Sequence, residues 1–387
     1  MNKYLTFDDV LIKPNYCGFE SRKNVNTGVD LNEDEHLSIP FISSPMDTIS
    51  GPEMVFTMFE LGGFGILHRF CTIEENVELY KETLGLLIDK YGSAPDHWLN
   101  KLKQRIGVSV GVNEGLDRAI ALYNEGARIF CVDVAHGHSK ACGNMVKALK
   151  EAFNDITVIA GSVCTAMGGD YLIGCGADII RVGVGCGSAC STRIKTGIGV
   201  PQLSAIMECS KLSKPIIADG GIRTPGDAVK ALAAGASFVM LGGMLAATWE
   251  TPGEVNYISN TGYNAIHFLN DAENVIADSL SKRHIKIGTN SSSYFAHKQY
   301  RGMASKEAFE DTYGELPEWK TAEGVAVTLK VKGSVKQVIH DLVGGLRSGL
   351  TYCGSEDIKQ LQSRAEFIQV TNAGIAESHP HILKENQ

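Results

Sequence analysis

The chain has 387 residues, 44% of them hydrophobic, enough for one large α/β domain or two ordinary ones with a well-buried core. A formal net charge of −8 gives no global electrostatic pull toward nucleic acid or an anionic membrane, although a local basic pocket for a phosphate stays open. The first residues lack an apolar signal core and no later run is long and apolar enough to span a bilayer, so a cytoplasmic setting is expected.

In chain order, eight short apolar runs rich in β-branched residues recur at 39–44, 64–68, 107–112, 129–134, 156–160, 179–184, 215–218 and 238–241. Segments of helical periodicity such as 115–124 and 228–234 follow them. Continuous apolar strands alternating with amphipathic helices mark an α/β fold, and eight units predict a closed (β/α)₈ TIM barrel; an open doubly wound sheet is the alternative. Small and polar residues stand just after the strand ends, at 43–47, 133–136, 161–162, 219–221 and 242–243. In a barrel these share one face, the face where barrel enzymes place their chemistry. The alternation stops near Glu250, and residues 250–333 read as a finger and flap inserted after the eighth strand of a single domain, 1–387. Within that insertion lie turn signals at 260–262 and 288–290 and a short helix at 272–280. A closing helix is expected at 335–348 and a loose tail at 376–387.

The sixth strand runs into Gly183-Val-Gly-Cys-Gly-Ser-Ala-Cys-Ser-Thr-Arg193. Its glycines let carbonyls and amides turn inward, and Cys190 stands beside two hydroxyls and an arginine. Two readings follow from these residues. Cys190 is a nucleophile, which requires the thiolate, or it is a small inert core residue. The ten cysteines carry no Cys-x-x-Cys pair, so neither a disulfide framework nor a zinc ribbon is indicated.

Ala218-Asp-Gly-Gly-Ile-Arg-Thr-Pro-Gly-Asp227 ends a strand and opens a helix, with Thr224 as N-cap, Pro225 at the first helical position and Asp227 completing a capping box. Gly220 and Gly221 follow the seventh strand, and Gly242 and Gly243 follow the eighth. Barrels bind phosphate at that place, while the plain alternative is a pair of tight turns. No Gly-x-Gly-x-x-Gly with a properly placed acid and no Walker loop occurs, so a nicotinamide cofactor would have to lie across the barrel mouth.

These stretches, with Leu5-Thr-Phe-Asp-Asp-Val-Leu11, Ser43-Ser-Pro-Met-Asp-Thr48, Asp133-Val-Ala-His-Gly-His-Ser139 and Tyr300-Arg-Gly-Met303, closely resemble the IMP dehydrogenase and GMP reductase family. The resemblance implies a (β/α)₈ barrel acting at purine C2 through a covalent cysteine adduct. Three features resemble the reductase branch. Only residues 71–105 stand where most dehydrogenases carry a regulatory domain pair. No Arg-Tyr pair occurs between Met303 and Glu323, and Trp319-Lys-Thr-Ala-Glu-Gly324 stands where reductases have Tyr-Arg-x-x-Glu-Gly. Residues 201–209 and 344–348 are also similar to reductase segments.

By that resemblance, GMP, or a related guanine nucleotide such as dGMP, is reduced by NADPH with release of ammonia. Cys190 adds to C2, and Thr192 with Glu323 relays protons. Asp219 holds the ribose, while Ser188, Gly220, Gly221, Gly242 and Gly243 cradle the phosphate. Ser44, Met46, Gly302, Met303 and Gly324 border the nucleotide. Arg69, Asp133, Val134, Ala135, Lys320, Arg347 and Ser348 match cofactor positions, and the carbonyls of Gly185, Gly187 and Cys190 match a potassium site. A homotetramer is implied. The alternatives are IMP oxidation to XMP with NAD, and a noncatalytic nucleotide-binding relative. Cys186 for a usual proline, Ser162 for a usual asparagine and the length of 253–300 depart from the family pattern.

Overall fold

The computed structural model describes residues 3–93, 95, 101–259, 284–286 and 293–380. Eight parallel strands close into a barrel in sequence order: β1 (Phe41–Ser43), β2 (Phe64–Leu67), β3 (Gly107–Val110), β4 (Ile129–Asp133), β5 (Thr157–Val163), β6 (Ile179–Val182), β7 (Ile216–Asp219) and β8 (Phe238–Leu241). The last strand pairs with the first through Val239 to Phe41 and Leu241 to Ser43, so no strand edge is left open. The closed barrel bears out the expected fold and excludes the open sheet. Strand β5 runs three residues beyond the expected end, with an irregular register between Ala160 and Val163.

Strand residues alternate between two apolar layers, because a strand's side chains have a period of two. Ile42, Phe64, Ile66, Ile129, Cys131, Ile159, Ile179, Ile217, Phe238 and Met240 form one buried cluster, the filling of the barrel. Leu31 and Leu37, from the small hairpin Val29–Asp30 with His36–Leu37, join that cluster. Phe41, Phe130, Val108, Val158, Ile180 and Val239 belong to the other cluster, which packs against the helices.

The helices start where side chains satisfy free amides. Ser139 accepts from the Cys142 N–H, Thr165 from Gly168, and Thr224 from Asp227 in a full capping box with Pro225 in the first turn. The helix Asp117–Glu125 stands within two residues of its expected bounds, and the closing helix runs on to Tyr352. After β8 the chain builds an antiparallel finger in which β11 (Ser293–Arg301) pairs with β9 (Asn256–Ser259), β10 (His284–Lys286) and β12 (Ala326–Lys330). The predicted turns at 260–262 and 288–290 and helix at 272–280 lie outside the described residues. At the far end, Phe367–Gln369 pairs antiparallel with Val10–Ile12, and a short helix covers Asn372–Glu377 where a loose tail was expected to begin. The tail from 381 lies outside the described residues. Among them, no helix is long and apolar enough to cross a membrane.

Replacing Thr224 by Ala removes the capping box and is expected to lower unfolding free energy by about 1 kcal/mol, read as a shifted urea midpoint at unchanged slope.

Candidate active site

A cavity of about 1020 Å³ opens where the strands end. Its floor follows from strand parity. Ile129, Cys131 and Asp133 point the same way along β4, as do Ile179 and Arg181 on β6 and Ile217 and Asp219 on β7, so the inward series that is apolar below ends in charge above. Arg181, 5% exposed, donates through Nη1 to Asp133 Oδ1 at 2.7 Å and through Nη2 to Asp219 Oδ2 at 2.7 Å. Burial opposes the guanidinium charge, but Asp219 and Asp133 more than offset it and hold Arg181 well above the ordinary arginine range. Ser162 Oγ also donates to Asp219 Oδ2, at 3.1 Å; among the described residues nothing donates to Oδ1. On the other side, Arg69 Nη2 donates to the Asp133 carbonyl at 3.1 Å.

The cysteine loop closes over this floor. A Cβ on Gly183 would lie 1.9 Å from the Asp219 carbonyl oxygen, so β6 and β7 can approach this closely only with glycine there. The Cys190 thiol donates to Thr192 Oγ1 at 3.1 Å. Cys186 differs: its thiol donates to Gln202 Oε1 and the Asp219 carbonyl, both at 3.2 Å, and burial pushes its pKa up, which keeps it protonated. Of the two loop cysteines, Cys190 borders a free hydroxyl partner and Cys186 is committed to structure.

A second chain segment seals the loop. Cys190 and Gly324 form an antiparallel bridge; the Val325 N–H donates to the Ala189 carbonyl at 3.0 Å and the Ser191 N–H to the Glu323 carbonyl at 2.8 Å. These backbone bonds carry Glu323 from the end of the flap to the edge of the cysteine loop. Ser188 Oγ meets the Tyr300 hydroxyl at 2.8 Å, and Gly243 leaves room for that pair, since a Cβ there would stand 2.5 Å from Ser188 Oγ.

Cys190, Thr192 and Glu323 all line the cavity, with Ser44, Met46, Ser188, Asp219, Gly220, Gly221, Gly242, Gly243, Gly302, Met303 and Gly324 around them. So do Arg69, Asp133, Val134, Ala135 and Lys320. Gly185 and Gly187 are in the same wall. Arg347 and Ser348 are not among the lining residues. They sit on the helix Val335–Tyr352, where Ser348 Oγ accepts from Arg22 Nη1 at 3.0 Å. Sequence reading missed Arg181, although a charge inside the apolar run 179–182 at inward parity was a usable signal. Tyr300 and Gln202 gave no such signal, because their partners are remote in the chain.

The chain matches the family model described as "IMP dehydrogenase / GMP reductase domain" over residues 4–269 and 286–381. It belongs to that family. The chain is similar to an inosine-5'-monophosphate dehydrogenase of Cryptosporidium parvum, 37% identical over 426 residues that cover 100% of this chain and 97% of the relative. Among solved structures it resembles an inosine 5' monophosphate dehydrogenase from Legionella pneumophila, at 44% identity and TM-score 0.75, covering 96% of this chain and 100% of that one. It also resembles a variant GMP reductase from Trypanosoma brucei in complex with guanosine 5'-monophosphate, at 30% identity and TM-score 0.79, covering 98% of both chains. The family's members are oxidoreductases of purine nucleotides that use nicotinamide cofactors, and both its branches stand among the relatives.

Replacing Arg181 by Met would leave two carboxylates at the barrel floor without their shared cation. The expected loss is about 3–5 kcal/mol of unfolding free energy, measured by denaturant titration.

Proposed function

We propose that this chain reduces GMP, or a closely related guanine nucleotide such as dGMP, to the corresponding inosine nucleotide with NADPH, releasing ammonia. The observation that carries this reading is the flap: no Arg-Tyr pair stands between Met303 and Glu323 to activate water, and the flap returns Glu323 directly to the cysteine loop. The Cys190 sulfur attacks C2 as its thiol proton moves to Thr192 Oγ1, 3.1 Å away, and the hydroxyl hands its own proton on toward the leaving group. Thr192 with Glu323 delivers protons to the departing amine, so the S–C2 bond forms as the C2–N bond breaks and ammonia leaves. Asp219 presents Oδ1 to the sugar, its Oδ2 being taken by Arg181 and Ser162. Gly220, Gly221, Gly242, Gly243 and Ser188 offer backbone amides and a hydroxyl to the phosphate.

The other half of the cavity suits a dinucleotide: Arg69 and Lys320 supply positive charge for phosphates, and Asp133 with Val134 and Ala135 forms the wall between the halves. A nicotinamide nucleotide bound there supplies the hydride. With the hydride pair at C2, the S–C2 bond breaks and the Cys190 thiolate is restored. The balance is GMP, NADPH and two protons giving IMP, NADP⁺ and ammonium. Potassium on the carbonyls of Gly185, Gly187 and Cys190 and a homotetramer belong to the same reading. The second reading is IMP oxidation to XMP with NAD; both branches stand among the similar structures, the Legionella dehydrogenase at 44% identity and the trypanosomal reductase at 30%.

The two are separated by incubating the protein with GMP and NADPH, and separately with IMP and NAD, while following reduced nicotinamide and ammonia. Loss of NADPH matched by equal ammonia is expected; turnover confined to the second mixture overturns the proposal. Cys190→Ala is expected to abolish turnover, and Glu323→Gln to slow it about a hundredfold or more.

A further inference from the structure

Residues 305–322 leave the barrel rim and return to it at a single point, where the Glu323 N–H donates to the Ala304 carbonyl at 2.9 Å. The excursion carries the helix Lys306–Tyr313 and the cavity residues Phe309, Thr312, Trp319 and Lys320. Its own side-chain contacts are mostly internal. Ser305 Oγ caps the Ala308 N–H at 3.2 Å, Lys306 pairs with Glu310 at 3.5 Å, and Lys320 Nζ lies 4.2 Å from the Phe309 ring centre. Among the described residues, one side-chain bond joins the helix to the rest of the protein: Arg301 Nη1 donates to Asp311 Oδ2 at 2.5 Å.

Arg301 itself is 9% exposed and fixed from the other side. Its Nε and Nη2 both donate to Asp47 Oδ2, at 2.9 and 2.5 Å, and its backbone N–H donates to Thr48 Oγ1 at 3.3 Å. Asp47 ends the loop whose Ser44 and Met46 line the cavity, and its N–H lies 3.5 Å from Met303 Sδ. The other Asp47 oxygen, Oδ1, is buried without a hydrogen-bond partner, so this carboxylate depends on the guanidinium.

We propose that Arg301 is a positioning residue that latches the excursion to the rim, with Asp311 as the catch. Two of its nitrogens stay with Asp47 and the nucleotide wall, and the third holds the helix Lys306–Tyr313 over the other half of the cavity. The two halves of the device differ in shielding. The Asp47 side chain is 12% exposed and the Asp311 side chain 67%, so salt and thermal motion act on the catch and spare the wall. Release therefore opens the excursion without disturbing Met46 and Met303. That the covered half takes the nicotinamide nucleotide rests on the functional reading above; the latch itself does not.

The test uses the full chain, with Asp311→Asn to remove the charge and Asp311→Glu to retain it; the exposed position keeps folding out of question. Amide hydrogen exchange across 306–313 is expected to quicken about two- to fivefold in Asp311→Asn and to stay near the parent rate in Asp311→Glu. Adding about 0.5 M NaCl should quicken exchange in the parent and change it little in Asp311→Asn. In turnover, KM for the nicotinamide nucleotide should rise by a similar factor in Asp311→Asn while KM for the purine nucleotide holds. Unchanged exchange in Asp311→Asn, or no rescue by Asp311→Glu, overturns the latch. Exchange is read without turnover, so failure of GMP reduction would sink the functional reading and leave the latch judged on its own.

Discussion

The backbone clip between the cysteine loop and the end of the flap is the constraint on which the site depends. Cys190 and Gly324 are 134 positions apart in the chain, yet they share a β-bridge, and the bonds from Ser191 and Val325 lock it from either side. Because the clip uses amides and carbonyls, it fixes the spacing of the two segments whatever their side chains do. The barrel thus places Cys190 and the returning segment places Glu323, and one short ladder brings the two segments side by side. Rigid placement of this kind is what lets a few reactive groups work together.

Beneath the clip, the barrel changes character within one residue step. The inward positions are apolar up to Cys131, Ile179 and Ile217, and the next inward positions are Asp133, Arg181 and Asp219. Burying such charges is tolerable because each carboxylate meets the same guanidinium at hydrogen-bond distance. The arrangement also separates the two halves of the cavity by a fixed charged wall. Arg181 holds Asp219 through Nη2 and Asp133 through Nη1, so their separation is set by one rigid fork.

Local signals were the legible ones. The apolar runs of β1 to β8, the Thr224-Pro225-Asp227 helix start and the glycines of the cysteine loop each act within a few residues, and each stands where the sequence predicted it. The motifs singled out Cys190, Thr192, Glu323 and the glycine pairs, and these residues share one cavity. Arg181 was half legible, since its parity is local but its two partners are not. What stayed hidden depends on contacts that no periodicity encodes. Ser188 and Tyr300 are 112 positions apart, and Arg301 and Asp47 are 254 apart.

The pairing of Val10–Ile12 with Phe367–Gln369 bears on how the molecule is made. A chain emerging from the ribosome can assemble its consecutive strand and helix units as they appear, because their contacts are local. The strand at Val10 has no such early partner; it waits until almost the whole polypeptide has been synthesised. The same holds for β1, whose second neighbour β8 is made about 200 residues later. Throughout translation the growing sheet therefore carries exposed edges, and ring closure followed by the terminal ladder is the step that retires them.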